Sequence, residues 1–133
     1  MSRTAINQYV KNRTATATPA QLVAMLFDGL ILALRRSAEA DSNGDRQESS
    51  LQLVKAQRIV TELRCSLNFE AGTLARELDR IYEFVWQTLV KANVSRDPLL
   101  AMRCVELIVP LRDAWAVACL GQSPVQAEER LSA

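Results

Sequence analysis

Leu22-Val-Ala-Met-Leu-Phe-Asp-Gly-Leu-Ile-Leu-Ala-Leu34 is the stretch on which the fold turns, because eleven of its thirteen residues are apolar. Wound as an α-helix, the apolar side chains sweep an arc of roughly 260°, whereas a helix with one face toward a core needs about 100°. The polar remainder is a narrow seam through Gln21, Asp28, Arg35 and Glu39. A membrane span takes about 20 apolar residues. This run meets Arg35 and Arg36 after thirteen, so membrane insertion is not expected. Two readings remain. Either the helix is enclosed on nearly all sides by its own chain, or one side faces the core and the other is kept apolar for a partner.

Outward from that helix, the chain of 133 residues is expected to form one domain with a real core. Hydrophobic content of 49%, charged content of 23% and four residues each of Gly and Pro favour a helical globular protein. A formal net charge of +1 gives no field that would draw nucleic acid or an anionic membrane. The start, Met1-Ser-Arg-Thr-Ala-Ile-Asn-Gln8, lacks the apolar core of a signal peptide. Cys65, Cys104 and Cys119 are odd in number and widely spaced, which reads as reduced, core-type thiols of the cytosol.

Local signals divide the chain. Residues 1–17 are polar apart from Ile6 and Tyr9, and the Thr14-Ala-Thr-Ala-Thr18 tract suits a flexible cap segment. Thr18-Pro19-Ala20-Gln21 is a helix start, with Thr18 as N-cap, Pro19 at the first position and Gln21 closing a capping box. The first helix is expected from Pro19 to about Asn43, ended by Gly44. Asp45 and Glu48 open a second that lasts to about Phe69. Gly72 breaks the chain again. Leu74, Leu78, Ile81, Tyr82, Val85, Leu89 and Ala92 then form a clean helical stripe, stopping near Asn93. Asp97-Pro98 starts a fourth helix with Leu100, Cys104, Leu107, Ile108, Leu111, Trp115 and Ala118 on one side, and Gly121 ends it. Pro110 inside it predicts a kink. Residues 122–133 read as a flexible C-terminal tail. Four long helices with short connections predict an all-α, antiparallel up-down-up-down four-helix bundle over residues 18–121.

The chemistry of catalysis is missing from the composition. With no histidine, the commonest general base and metal ligand are gone, and a Glu-x-x-His di-iron site is excluded. No CxxC, phosphate-binding loop or dinucleotide fingerprint occurs. Asp28, Glu77, Glu83, Glu106 and Asp113 fall on polar seams and read as solvated. No catalytic, cofactor-binding or metal-binding residue is expected.

What remains after the stripes are packed is surplus apolar surface. Val23, Phe27, Ile31 and Leu34 form one flank of the first helix, with Met25 and Leu32 on the other. Phe84, Trp86 and Val90 lie off the third stripe, and Met102, Val105, Val109 and Val117 off the fourth. Extended apolar patches mark interaction surfaces. Val23, Phe27, Ile31, Leu34, Trp86 and Val105 are therefore the candidate partner-binding residues, with Ile6 and Tyr9 placed to cover such a patch.

Six strings in order carry a resemblance. Tyr9, Thr-Pro-Ala-Gln-Leu-Val-Ala-Met-Leu-Phe-Asp-Gly (18–29) and Lys-Ala-Gln-Arg-Ile-Val-Thr-Glu-Leu (55–63) occupy the first half. Ile-Tyr-Glu-Phe (81–84), Leu-Val-Lys-Ala-Asn (89–93) and Leu-Arg-Asp-Ala-Trp (111–115) occupy the second. Over residues 4–118 the chain resembles the flagellar secretion chaperone family FliS. The resemblance implies a bacterial cytosolic chaperone that holds the C-terminal segment of flagellin, prevents premature polymerisation and, once loaded, meets the flagellar export gate. It also implies an N-terminal cap over the client groove, where Ile6 and Tyr9 fall. Phe27 stands where the family often has Tyr, and Pro110 has no expected counterpart. Burying four side chains of the Phe27 kind yields about 6–12 kcal/mol gross. Association and ordering cost about 4–15 kcal/mol, so a client is expected to wrap more than one face. Two other readings stay open from the residues alone, a homodimerising helical scaffold and a bundle holding an apolar small ligand.

Overall fold

The computed structural model describes residues 16–132. From Pro19 onward five α-helices follow one another among the described residues: α1 (Pro19–Ser42), α2 (Arg46–Cys65), α3 (Thr73–Ser95), α4 (Pro98–Leu120) and α5 (Pro124–Ser132). A short 3₁₀ turn, Phe69–Ala71, leads into α3, and no strand occurs among the described residues.

The starts are set by their caps. Thr18 Oγ1 accepts from the Gln21 amide at 3.1 Å, and Gln21 Oε1 accepts from the Thr18 amide at 2.9 Å, a complete capping box ahead of Pro19. Asp45 accepts from the Glu48 amide, and Asp97 from the Leu99 amide, with Pro98 at the first turn of α4. Gly121 closes α4 at φ 61°, a left-handed conformation that glycine adopts without steric penalty. The second helix is shorter than its pattern suggests. It ends at Cys65, where Ser66 Oγ donates to the Leu63 carbonyl at 2.6 Å, and Phe69 falls in the 3₁₀ turn. Helix α4 runs unbroken through Pro110, and both Pro110 and the Glu106 whose carbonyl it leaves free lie on the exposed side.

Helices α1 to α4 pack in a ring, each against its neighbour in sequence, with α1 and α4 closing the circle. The pairing is antiparallel throughout. Ser37 near the end of α1 meets Ser49 near the start of α2, hydroxyl to hydroxyl at 3.0 Å in the interior. Arg64 at the end of α2 pairs with Asp79 near the start of α3 at 2.8 Å. Trp115, late in α4, donates its indole N–H to the Ala20 carbonyl at the start of α1, at 2.9 Å. The core is a single cluster that includes Leu30, Ile31, Leu34, Val60, Leu63, Val85, Leu89, Cys104 and Ile108.

Two expectations are corrected here. The wide apolar arc of α1 is mostly internal, because α2 covers one side of the helix and α4 the other. Phe27, Ile31 and Leu34 are core residues, as is Val105 of α4. The tail beyond Gly121 is ordered as α5, which lies against α4 and α1 with Ala127 fully buried. The thiols also divide, with Cys104 buried in the core and Cys65 and Cys119 exposed.

Candidate functional site

The ring of helices opens at the end where α1 and α3 begin and α4 finishes. An apolar groove of about 570 Å³ lies there. Val23 and Phe27 come from α1, Leu74, Leu78 and Tyr82 from α3, and Leu111, Trp115, Ala118 and Cys119 from α4, with Leu67 and Asn68 from the loop after α2. Among the described residues no charged side chain lines it.

The local sequence explains the opening. The apolar stripe of α3 begins at Leu74, one turn before its helix meets well-packed partners, so Leu74 is 64% exposed while Tyr82, Val85 and Leu89 are buried. Gly72, at φ 115°, turns the chain sharply into α3 without a side-chain cap. The floor is rigid. The rings of Phe27 and Trp115 sit 6.5 Å apart at 55°, a tilted aromatic pair, and the Trp115 N–H is held by Ala20. Burial alone raises the Tyr82 phenol to about 12. It raises the Cys104 thiol deeper in the bundle to about 11.

Beside the groove, where α5 crosses α1 and α4, a compact ionic cluster clasps the last helix. Arg112 is only 2% exposed and donates to Asp113 and to Glu128, both at 2.8 Å. Glu128 also accepts from Arg35 at 2.7 Å, and Arg130 reaches Asp28 at 3.0 Å. Hydrogen bonds from Arg35 and then Arg112 hold the Glu128 carboxyl below its ordinary range. Desolvation pushes Arg112 down, but its bonds to Glu128 and Asp113 outweigh it and the net shift is upward. Asp28 and Asp113, expected as solvated carboxylates, are ion-paired partners in this cluster.

Of the six candidate partner-binding residues, Val23 and Phe27 line the groove. Ile31 and Leu34 are wholly enclosed in the core, and Val105 is a buried core residue that does not line the groove. Trp86 is 38% exposed on α3 but not on the groove wall. Ile6 and Tyr9 lie outside the described residues. The residues missed were Leu74, Leu78, Tyr82, Leu111 and Trp115, all read as core stripe. A second trough, of about 730 Å³ between α3 and α4, carries Phe84, Leu100 and Leu107, but Lys91, Arg103 and Glu106 interrupt it.

The sequence of the whole bundle matches a known family. The profile described as "Flagellar protein FliS" covers residues 1–122. The chain belongs to the FliS family. It is 33% identical over 110 residues to the flagellar secretion chaperone FliS of Bacillus subtilis, spanning 83% of this chain and 82% of the relative. It is 31% identical over 119 residues to FliS of Escherichia coli K12, spanning 88% of both. It is 31% identical over 107 residues to FliS of Vibrio cholerae, spanning 80% and 79%. FliS is a family of flagellar secretion chaperones, not of enzymes. No helix among the described residues is long and apolar enough to cross a membrane.

Proposed function

We propose that this FliS-family chain binds the C-terminal segment of flagellin in the bacterial cytosol, keeps it from polymerising and presents it to the flagellar export gate, and that the groove between α1, α3 and α4 is a main contact. The supporting observation is the groove itself, an apolar trough of about 570 Å³ whose wall, uncharged among the described residues, is built from three helices and the loop after α2. A trough of that shape suits the apolar face of an amphipathic helix laid into it. Val23, Phe27, Leu74, Leu78, Leu111 and Trp115 are its contact residues. Ile6 and Tyr9 are the cap that an incoming client displaces.

The test is titration calorimetry with a peptide spanning the flagellin C-terminal region. Micromolar or tighter binding is expected. Leu74→Asp should weaken it at least tenfold while leaving the circular dichroism unchanged, since Leu74 is already mostly solvated. No heat with the wild-type chain would remove the reading.

A further inference from the structure

The groove and the second trough lie end to end along one seam. Helices α3 and α4 run antiparallel and pack least closely of the four neighbouring pairs. On α4, Ala118, Ala114 and Leu111 line the groove, and Leu107, Arg103 and Leu100 line the trough. Steps of three and four residues put all six on one face of the helix. On α3 the matching row is Leu74 and Leu78 in the groove, then Phe84, Thr88 and Lys91 in the trough, with the partly buried Ile81 between them. At 1.5 Å per residue the α4 row is about 27 Å long, room for a helix of about 18 residues. The two ends differ in charge. The groove end is uncharged among the described residues, whereas Lys91 and Arg103 stand exposed at the trough end against the carboxylate of Glu106.

We infer that Lys91 and Arg103 set the direction and register of the client, by pairing with a carboxylate near one end of an amphipathic helix laid along the whole seam; this rests on the groove being the client site. Apolar contact is non-directional. A helix held only by an apolar stripe gains little from one direction over the other, and slips by a turn at small cost. An Asp or Glu side chain changes that. Over Lys91 and Arg103 it is paired at the rim of the trough. Turned end for end, or slid toward Leu74, the same carboxylate enters the uncharged half and loses water with nothing to replace it. Discrimination comes from opposing those placements as much as from the pair itself. Glu106 sharpens the register, since it repels a carboxylate set one turn too far toward Leu107. The occupant so selected is a helix of about five turns, apolar over most of one face and acidic at one end.

Charge reversal in the full chain, Lys91→Glu with Arg103→Glu, tests this with the same flagellin C-terminal peptide. Both side chains are exposed, so circular dichroism and melting temperature should hold. Peptide affinity at low ionic strength should fall at least tenfold, and the gap should narrow as salt is raised. Lys91→Gln with Arg103→Gln, which adds no charge, should show the same loss in smaller measure. Lys55→Glu with Arg58→Glu, an equal charge change on the exposed side of α2, is the control and should lose much less. Each Asp and Glu of the peptide is then replaced in turn by Lys. One replacement should weaken binding to the wild type and restore it to the reversed chain. Unchanged affinity, equal loss in the control, or no peptide position that swaps its preference overturns the inference while leaving the groove intact. A reversal that breaks up a dimer of the peptide-free chain assigns the trough to a second copy and overturns it as well. A wild-type chain that binds no peptide overturns the groove reading instead, and this inference with it.

Discussion

Replacing Glu128 by Gln should loosen α5 by an amount the geometry sets. The carboxylate joins two guanidinium groups, Arg35 at 2.7 Å and Arg112 at 2.8 Å. These differ in worth because their surroundings differ. Arg35 is 37% and Glu128 47% exposed, so that pair behaves as a surface bridge of about 0.2–1 kcal/mol. Arg112 is 2% exposed, and a hydrogen bond to a charged group that sealed is worth about 1.5–3 kcal/mol. Asp113 stays on Arg112 Nε at 2.8 Å, which keeps the guanidinium from being stranded and holds the loss to the lower half. Glu128→Gln should therefore cost about 2 kcal/mol, a drop of about 6–10 °C in melting temperature for a domain of this size. Thermal melts by circular dichroism supply the global number, and hydrogen exchange at the Ala127 amide reports α5 itself. Glu129→Gln, one residue along on the exposed side, is the control and should stay within about 0.5 kcal/mol. A Glu128→Gln chain that melts within about 1 °C of wild type, with Ala127 equally protected, would refute the clasp.

Acid should act on the same helix. The Glu128 pKa is lower folded than unfolded, so its contribution is complete above the ordinary carboxylate range. It is lost as pH falls from about 4 through the depressed folded value. Corrected for the intrinsic pH dependence of amide exchange, exchange at α5 should rise across that window in wild type and rise less in Glu128→Gln, where only the Asp28 and Asp113 pairs remain to be lost. Ile31→Asp should unfold the bundle, because Ile31 is fully buried and an unpaired charge there costs more than about 4 kcal/mol. A soluble Ile31→Asp chain with wild-type helicity would show that the α1 flank is surface after all.

How much of this was legible depended on how local each determinant is. Thr18-Pro19-Ala20-Gln21 carries a whole capping box within four residues, and the structure forms it as written. Gly121 and Asp97-Pro98 are equally self-contained. The fate of Phe27 and Ile31 was not local. An apolar flank that meets α4 of its own chain has the same composition as one that meets another protein, and only the closure of the ring tells them apart. Leu74 erred the opposite way, because a perfect stripe position at the end of a helix can have nothing across from it. Helix α5 was invisible for a third reason. It buries little apolar surface, and its anchors, Arg35 and Asp28, lie 93 and 102 positions away from Glu128 and Arg130.

Those separations bear on the order in which the chain can fold as it is made. The hydrogen bonds that close α4 and α5 onto α1, from Trp115 to Ala20, Arg35 to Glu128 and Arg130 to Asp28, span 95, 93 and 102 positions. While the ribosome has delivered only α1 and α2, the flank of α1 that α4 later covers is bare, with Phe27 and Ile31 among its apolar residues. It stays bare until α4 emerges, and Arg112 then waits for Glu128 some sixteen positions later. A nascent chain therefore passes through a stage in which Ile31 and Leu34 are open to any passing apolar helix, its own or another's. The residues most deeply enclosed in the finished protein are the ones most exposed to error during its synthesis.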